Sequence, residues 1–114
     1  MSKPGRVPHA ANAVVEEKKV VSYLLNNDHK EGASKAKFFL KRGFAADSWE
    51  TFATALARHA QTQPVTNVEE NEFGTKYQVE CNLDTPDELN PCILSVWIVE
   101  DDNPPRLVTA HPNT

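Results

Sequence analysis

The sequence predicts an α+β fold in which three N-terminal helices pack on a four-stranded antiparallel β-meander. Two observations predict it. Apolar residues recur at helical intervals up to Pro64 and alternate with a period of two beyond it. Between the alternating segments fall Pro86, Pro91, Pro104 and Pro105, where turns belong. The 114 residues suffice for one domain. We therefore expect a mobile leader over residues 1–13, where Pro4, Gly5 and Pro8 interrupt any period, and a single α+β domain over 14–114.

A first amphipathic helix is expected from Val14 to about Asn26-Asn27, with Val14, Val15, Val20, Val21, Leu24 and Leu25 on its apolar face. A polar loop containing Gly32 follows. Ser34 can then cap a second helix that runs through Arg42 and stops at Gly43, with Ala36, Phe39 and Leu40 inward. The third helix opens on Asp47 with Glu50 three residues on, the spacing of a capping box. Trp49, Phe52, Ala53, Leu56, Ala57 and Ala60 form its stripe, and it ends before Pro64. The strands are expected at Val65 to Glu72, at the alternating Tyr77 to Leu83, at the nearly continuous apolar run Pro91 to Glu100, and at Arg106 to Pro112.

Register follows from matching apolar positions across the hairpin that turns at Pro86-Asp87. Tyr77 then faces Val96, Val79 faces Leu94, and Cys81 faces Cys92, so both thiols should be buried neighbours. For the last strand, burying Val108 and Ala110 costs less than burying Thr109 and His111. Thr109 and His111 should then share an outer face with Ser95 and Trp97.

Charge is divided unevenly. Residues 1–62 carry ten Lys/Arg against six Asp/Glu, and residues 63–114 carry two against ten, giving +4 and −8 and the overall −4. Any surface for an anion such as nucleic acid belongs to the first half. The longest apolar run, Val96-Trp97-Ile98-Val99, is too short to span a bilayer, so no membrane partner is expected. Two cysteines make no disulfide framework and no zinc pattern, and without an export signal the expected location is cytoplasmic with reduced thiols. The four glycines form no phosphate-cradling loop, and metalloprotease, Cys-x-x-Cys and nucleophile-elbow motifs are missing. No metal and no cofactor are expected.

Three stretches taken in order carry a resemblance: Tyr23-Leu24-Leu25-Asn26; His29 followed by Ser34-Lys35-Ala36-Lys37-Phe38-Phe39; and Leu107-Val108-Thr109-Ala110-His111-Pro112. Together they resemble a family of short bacterial proteins of unknown function that read YLL-N, H, G-x-SKA-x-FF and GF, then VW, then LVTAYP. Lys30 stands where a proline often follows the histidine, and His111 where an aromatic is usual. More distantly, helices followed by a four-stranded meander are similar to the barnase, EndoU, colicin and RelE-like ribonuclease toxins, an analogy of fold and order.

That resemblance implies a module acting on RNA without a metal. Cleavage through the 2′-hydroxyl needs a base, an acid, and cations or N–H groups on the phosphate. His29, Lys37 and Thr109 are the candidate catalytic residues. Lys35, Lys41, Arg42, Trp97 and His111 are the candidate substrate-binding residues, with Trp97 placed to stack on a base. Each has a plainer reading: His29 as a loop histidine, the lysines as a solvated helix face, Thr109 as a good strand former. His59 is expected to be an exposed helix residue, and His9 belongs to the leader. The alternative function is a non-catalytic protein-interaction domain using the acidic sheet or Trp97, with a cognate inhibitor or another protein as partner.

Overall fold

The computed structural model describes residues 5–21, 33–101 and 103–112, excepting the side chains of 33–35. Its elements are three helices, α1 (Glu17–Lys19), α2 (Ala33–Lys41) and α3 (Trp49–Thr62), and four strands, β1 (Val65–Asn71), β2 (Gly74–Asn82), β3 (Cys92–Val99) and β4 (Arg106–Pro112). The strands form one antiparallel sheet in the order β1-β2-β3-β4, which is the expected α+β meander.

The expected leader is packed from Gly5 onward. Val7 and Ala10 are buried against the core, because this stretch runs as a strap across the helical layer. At one end the Gly5 carbonyl accepts the Val65 N–H at 3.2 Å. In the middle the Gln61 side-chain amide donates to the Ala10 carbonyl. At the other end Val14 pairs in parallel with β4, donating to the Pro105 carbonyl at 2.8 Å and accepting from the Leu107 N–H at 3.0 Å. Val14 is thereby committed to strand pairing, so α1 starts at Glu17 rather than Val14. The part of the expected first helix beyond residue 21 lies outside the described residues.

Helix α2 closes as its sequence predicts. Gly43 adopts φ +104°, its N–H donates to the Leu40 carbonyl, and the Phe44 N–H donates to the Phe39 carbonyl, the pair of bonds that lets a left-handed residue terminate a helix. Ser34 lies inside α2 rather than capping it. The Asp47–Glu50 capping box is not formed either: Asp47 sits in a 3₁₀ turn, Ala46–Ser48, and the cap residue of α3 is Ser48, without a side-chain cap bond. Phe39 on α2 and Phe52 on α3 meet at 4.7 Å between ring centroids, and Phe44 stacks on Phe52 at 4.3 Å. Contacts of this kind stabilise by about 0.5–1.5 kcal/mol each beyond area burial and fix the two helices against each other.

The sheet departs from the expected register by one residue. Tyr77 pairs with Trp97, Val79 with Ser95, and Cys81 with Ile93, while Cys92 faces Asn82. Such a slip exchanges the faces of a whole strand. Ile93, Ser95 and Trp97 therefore point into the core, and Leu94, Val96 and Ile98 point out. The cause lies in the connection, which is a structured loop rather than a tight turn at Pro86-Asp87. Leu83 N–H donates to the Pro91 carbonyl, Thr85 and Asn90 exchange side-chain bonds with each other's backbone, and Glu88 and Asn90 take positive φ. The cysteines are consequently not direct partners, and both are half-buried.

In β4 a bulge reconciles the two parities. Val96 pairs with Thr109 but Trp97 pairs with Leu107, leaving Val108 as the extra residue. Leu107 and Ala110 are both buried as a result, while Val108, expected inside, is only half-buried.

Candidate functional site

One side of the sheet carries Val79, Ile93, Trp97, Leu107 and Ala110 into the core with Phe39, Phe52 and Leu56 of the helices. The opposite side carries Leu94, Val96 and Ile98, which lie outside that core. Antiparallel pairing places Thr109, Val96 and Gln78 in one row of this outer face and His111, Leu94 and Glu80 in the next. The outer face is thus an apolar floor on β3 edged by polar side chains of β2 and β4. Helix α2 packs against β4, the strand that bears Thr109 and His111.

Of the residues singled out in the sequence, Lys37 and Lys41 are exposed on α2, and Thr109 and His111 are half-buried on β4. His29 lies outside the described residues, as does the side chain of Lys35. Arg42 is engaged elsewhere: its Nε lies 3.2 Å from Asp87 Oδ2, a contact of charges rather than a directed hydrogen bond, and its guanidinium lies over the Phe38 ring at 5.6 Å. Asp87 is further tied by the Thr85 hydroxyl at 2.6 Å and the Leu89 N–H at 3.1 Å. The Thr85 hydrogen bond, before the others, holds the Asp87 carboxyl below its ordinary value. Arg42 therefore clamps the β2–β3 loop instead of presenting a free cation.

Trp97 is the main correction. It is fully buried, not on the outer face, because the register slip turns it inward. Its indole cannot stack on a base. Its N–H instead donates to Ser95 Oγ at 2.9 Å. His59, expected outside, is 2% exposed and bonds Ser95 Oγ through Nδ1 at 2.8 Å and the Cys81 carbonyl through Nε2 at 2.7 Å. A carbonyl only accepts, so Nε2 carries the proton and Nδ1 accepts from the Ser95 hydroxyl. Trp97, Ser95, His59 and Cys81 form one chain of donors and acceptors with the ring neutral. Burial lowers the His59 pKa, against the smaller opposing effect of the Cys81 carbonyl.

Cys81 has φ +128°, a strained value for a residue with a side chain, and its carbonyl is the one that meets His59. The arrangement joins α3 to β2 and β3. Sequence reasoning missed it because one imidazole at the edge of an apolar stripe looks the same buried or exposed until its partners are known.

At the end of the sheet formed by the β1–β2 turn and the β3–β4 connection, Glu70, Glu72, Glu100 and Asp101 line an open groove of about 520 Å³ together with Phe73. Phe73 is 70% exposed. Glu100 spans 2.7 Å to Arg106. Among the described residues no helix is long and apolar enough to cross a membrane.

Fold and surface together define an α+β domain with helices on one side of an antiparallel meander and, among the described residues, no helix on the opposite side, which is edged by polar residues. The chain belongs to a family described as a domain of unknown function, DUF6883, whose model matches residues 6–114. No curated protein matches it. Among solved structures it is similar to a chain of a contact-dependent growth inhibition toxin–immunity protein complex from Klebsiella pneumoniae 342, with a TM-score of 0.73 and 19% identity over 95% of this chain and 99% of that chain. At that identity the likeness shows a shared fold.

Proposed function

We propose that this chain is a bacterial module of the ribonuclease-toxin type, cleaving RNA without a metal. The observation that carries the reading is the row of polar side chains beside an apolar floor: Thr109 and His111 on β4 flank Val96 and Leu94 on the outer face, while α2, with exposed Lys37 and Lys41, packs on the same strand from the helical side. Cations on one side of a polar strand, with an apolar floor next to it, suit a phosphate and the base or ribose attached to it. In this reading Lys37 stabilises charge on the phosphate, Thr109 hydrogen-bonds a phosphate oxygen, and His29 transfers a proton. Lys35 and Lys41 add electrostatic attraction. The likeness in fold to a chain from a toxin–immunity complex supports a toxin-related module and a protein partner of the inhibitor kind.

Purified protein is incubated with total bacterial RNA beside Lys37→Ala and Thr109→Val variants of unchanged thermal stability. The reading requires cleavage by the wild type and at least a tenfold loss in each variant. An intact RNA population after prolonged incubation with folded wild-type protein refutes it.

A second reading, a non-catalytic protein-interaction domain, is favoured by the acidic groove around Glu70, Glu72, Glu100 and Asp101 with exposed Phe73 at its rim. It predicts a partner whose binding is lost on Phe73→Ala and Glu72→Lys, with RNA untouched.

A further inference from the structure

We propose that His111 is the general base of the proposed site, withdrawing the 2′-hydroxyl proton of RNA through Nε2. The inference rests on the ribonuclease reading and assigns a chemical role that the sequence left as substrate binding. The ring geometry carries it. His111 Nδ1 lies 3.1 Å from the Pro112 carbonyl oxygen, which can only accept, so Nδ1 carries a proton and, in the neutral tautomer, Nε2 is the nitrogen with the lone pair. A neutral imidazole with one nitrogen fixed by a carbonyl is oriented for the other nitrogen to accept a proton.

Position agrees with that role. His111 and Thr109 are alternate residues of β4, opposite Leu94 and Val96 on the outer face, so a phosphate at the Thr109 hydroxyl has its ribose within the neighbouring row. The other described histidines do not qualify. His59 is buried with both ring nitrogens engaged, and His9 is exposed on the strap beside the turn that packs on α3. The charged group in the His111 row is Glu80 on β2.

The step balances without any further reactant. The 2′-oxygen loses its proton to Nε2 and bonds to phosphorus, the bond from phosphorus to the 5′-oxygen breaks, and that oxygen leaves with a proton from the proposed site's acid or from water. The products are a 2′,3′-cyclic phosphate and a 5′-hydroxyl, and the imidazolium returns its proton to water.

The test separates proton transfer from support of the Pro112 carbonyl. His111→Ala removes both. His111→Asn keeps an amide donor for the carbonyl but has no basic nitrogen. With total bacterial RNA as substrate, both variants should retain the wild-type fold and thermal midpoint to within a few degrees, and both should cleave about 10²–10⁴-fold more slowly, the usual contribution of a positioned base. Added imidazole should restore part of the His111→Ala rate and none of the rate of a Lys37→Ala variant, and mass spectrometry should find cyclic phosphate ends. Wild-type cleavage with His111→Asn at the wild-type rate, or with no imidazole rescue of His111→Ala, overturns the base assignment and leaves the ribonuclease reading standing. Folded wild-type protein that cleaves no RNA overturns both.

Discussion

Replacing Ser95 by alanine removes a single oxygen and strands two buried groups. Ser95 Oγ accepts from the Trp97 indole at 2.9 Å and donates to His59 Nδ1 at 2.8 Å, and all three side chains are at most 2% exposed, so no water replaces the lost partner. A buried donor or acceptor left unpaired costs about 1–3 kcal/mol, and with two coupled groups sharing one relaxation the expected loss is about 2–4 kcal/mol. In a domain of this size that is a fall in thermal midpoint of roughly 6–20 °C. The measurement is urea or thermal unfolding followed by tryptophan fluorescence, with Ser48→Ala as control, since Ser48 is exposed and its side chain makes no cap bond. The control should stay within about 0.5 kcal/mol of wild type. A Ser95→Ala loss equally small would refute the buried network as a source of stability.

Three further outcomes follow from the same geometry. His59 is held neutral below its ordinary pKa, so the unfolded chain takes up a proton that the folded one refuses. Its contribution is present above the unfolded value, near ~6.5, and is lost as pH falls towards the lower folded value, with a slope of up to ~1.4 kcal/mol per pH unit, a dependence that unfolding at several pH values should show and His59→Gln should flatten. Gly43→Ala should destabilise by about 1–3 kcal/mol in the same assay, because a Cβ there would lie 2.8 Å from Pro86 Cβ at a φ of +104°. If Lys37 and Lys41 contact phosphates, the logarithm of RNA affinity should fall with the logarithm of salt concentration, and the double alanine variant should reduce that slope by about 1.4, two contacts at ~0.7 each for single strands, as measured by fluorescence anisotropy.

The element order was legible because period is a local property. The change at Pro64 and the stop at Gly43 required nothing beyond neighbouring residues, and β4 has its predicted ends. Register is not local in that sense. The nine residues from Leu83 to Pro91 fold through bonds among Thr85, Asp87 and Asn90, and their geometry shifts β3 by one residue, which moves Trp97 and Ser95 inward and frees Leu94 and Val96 for the outer face. Matching Cys81 to Cys92 by shared apolarity could not detect this. The parity of β4 failed by half for a related reason: a bulge at Val108 satisfies both choices, and only the partner strand reveals it. Of the candidate site, Thr109 and His111 were placed on the outer face by an argument that holds despite the slip, since Ala110 is inward. Arg42 and Trp97 were misassigned because their partners, Asp87 and Ser95, are distant in sequence or turned by the register.

The segment that crosses the helical layer has a consequence for the order of assembly. The hairpins of the meander join neighbours along the chain, whereas Gly5 to Val65 and Val14 to Pro105 and Leu107 join the beginning of the domain to both margins of the sheet. Closing such long loops costs entropy before the contacts repay it, so the margin beside Val14 completes only after β4 has been laid down. Until then the outer backbone of β4 beside Arg106 and Leu107 has not received the pairing that Val14 supplies. Weakening the fastening with Val7→Ala should accordingly speed unfolding while leaving the folding rate nearly unchanged, the kinetic signature of a contact made after the rate-limiting step.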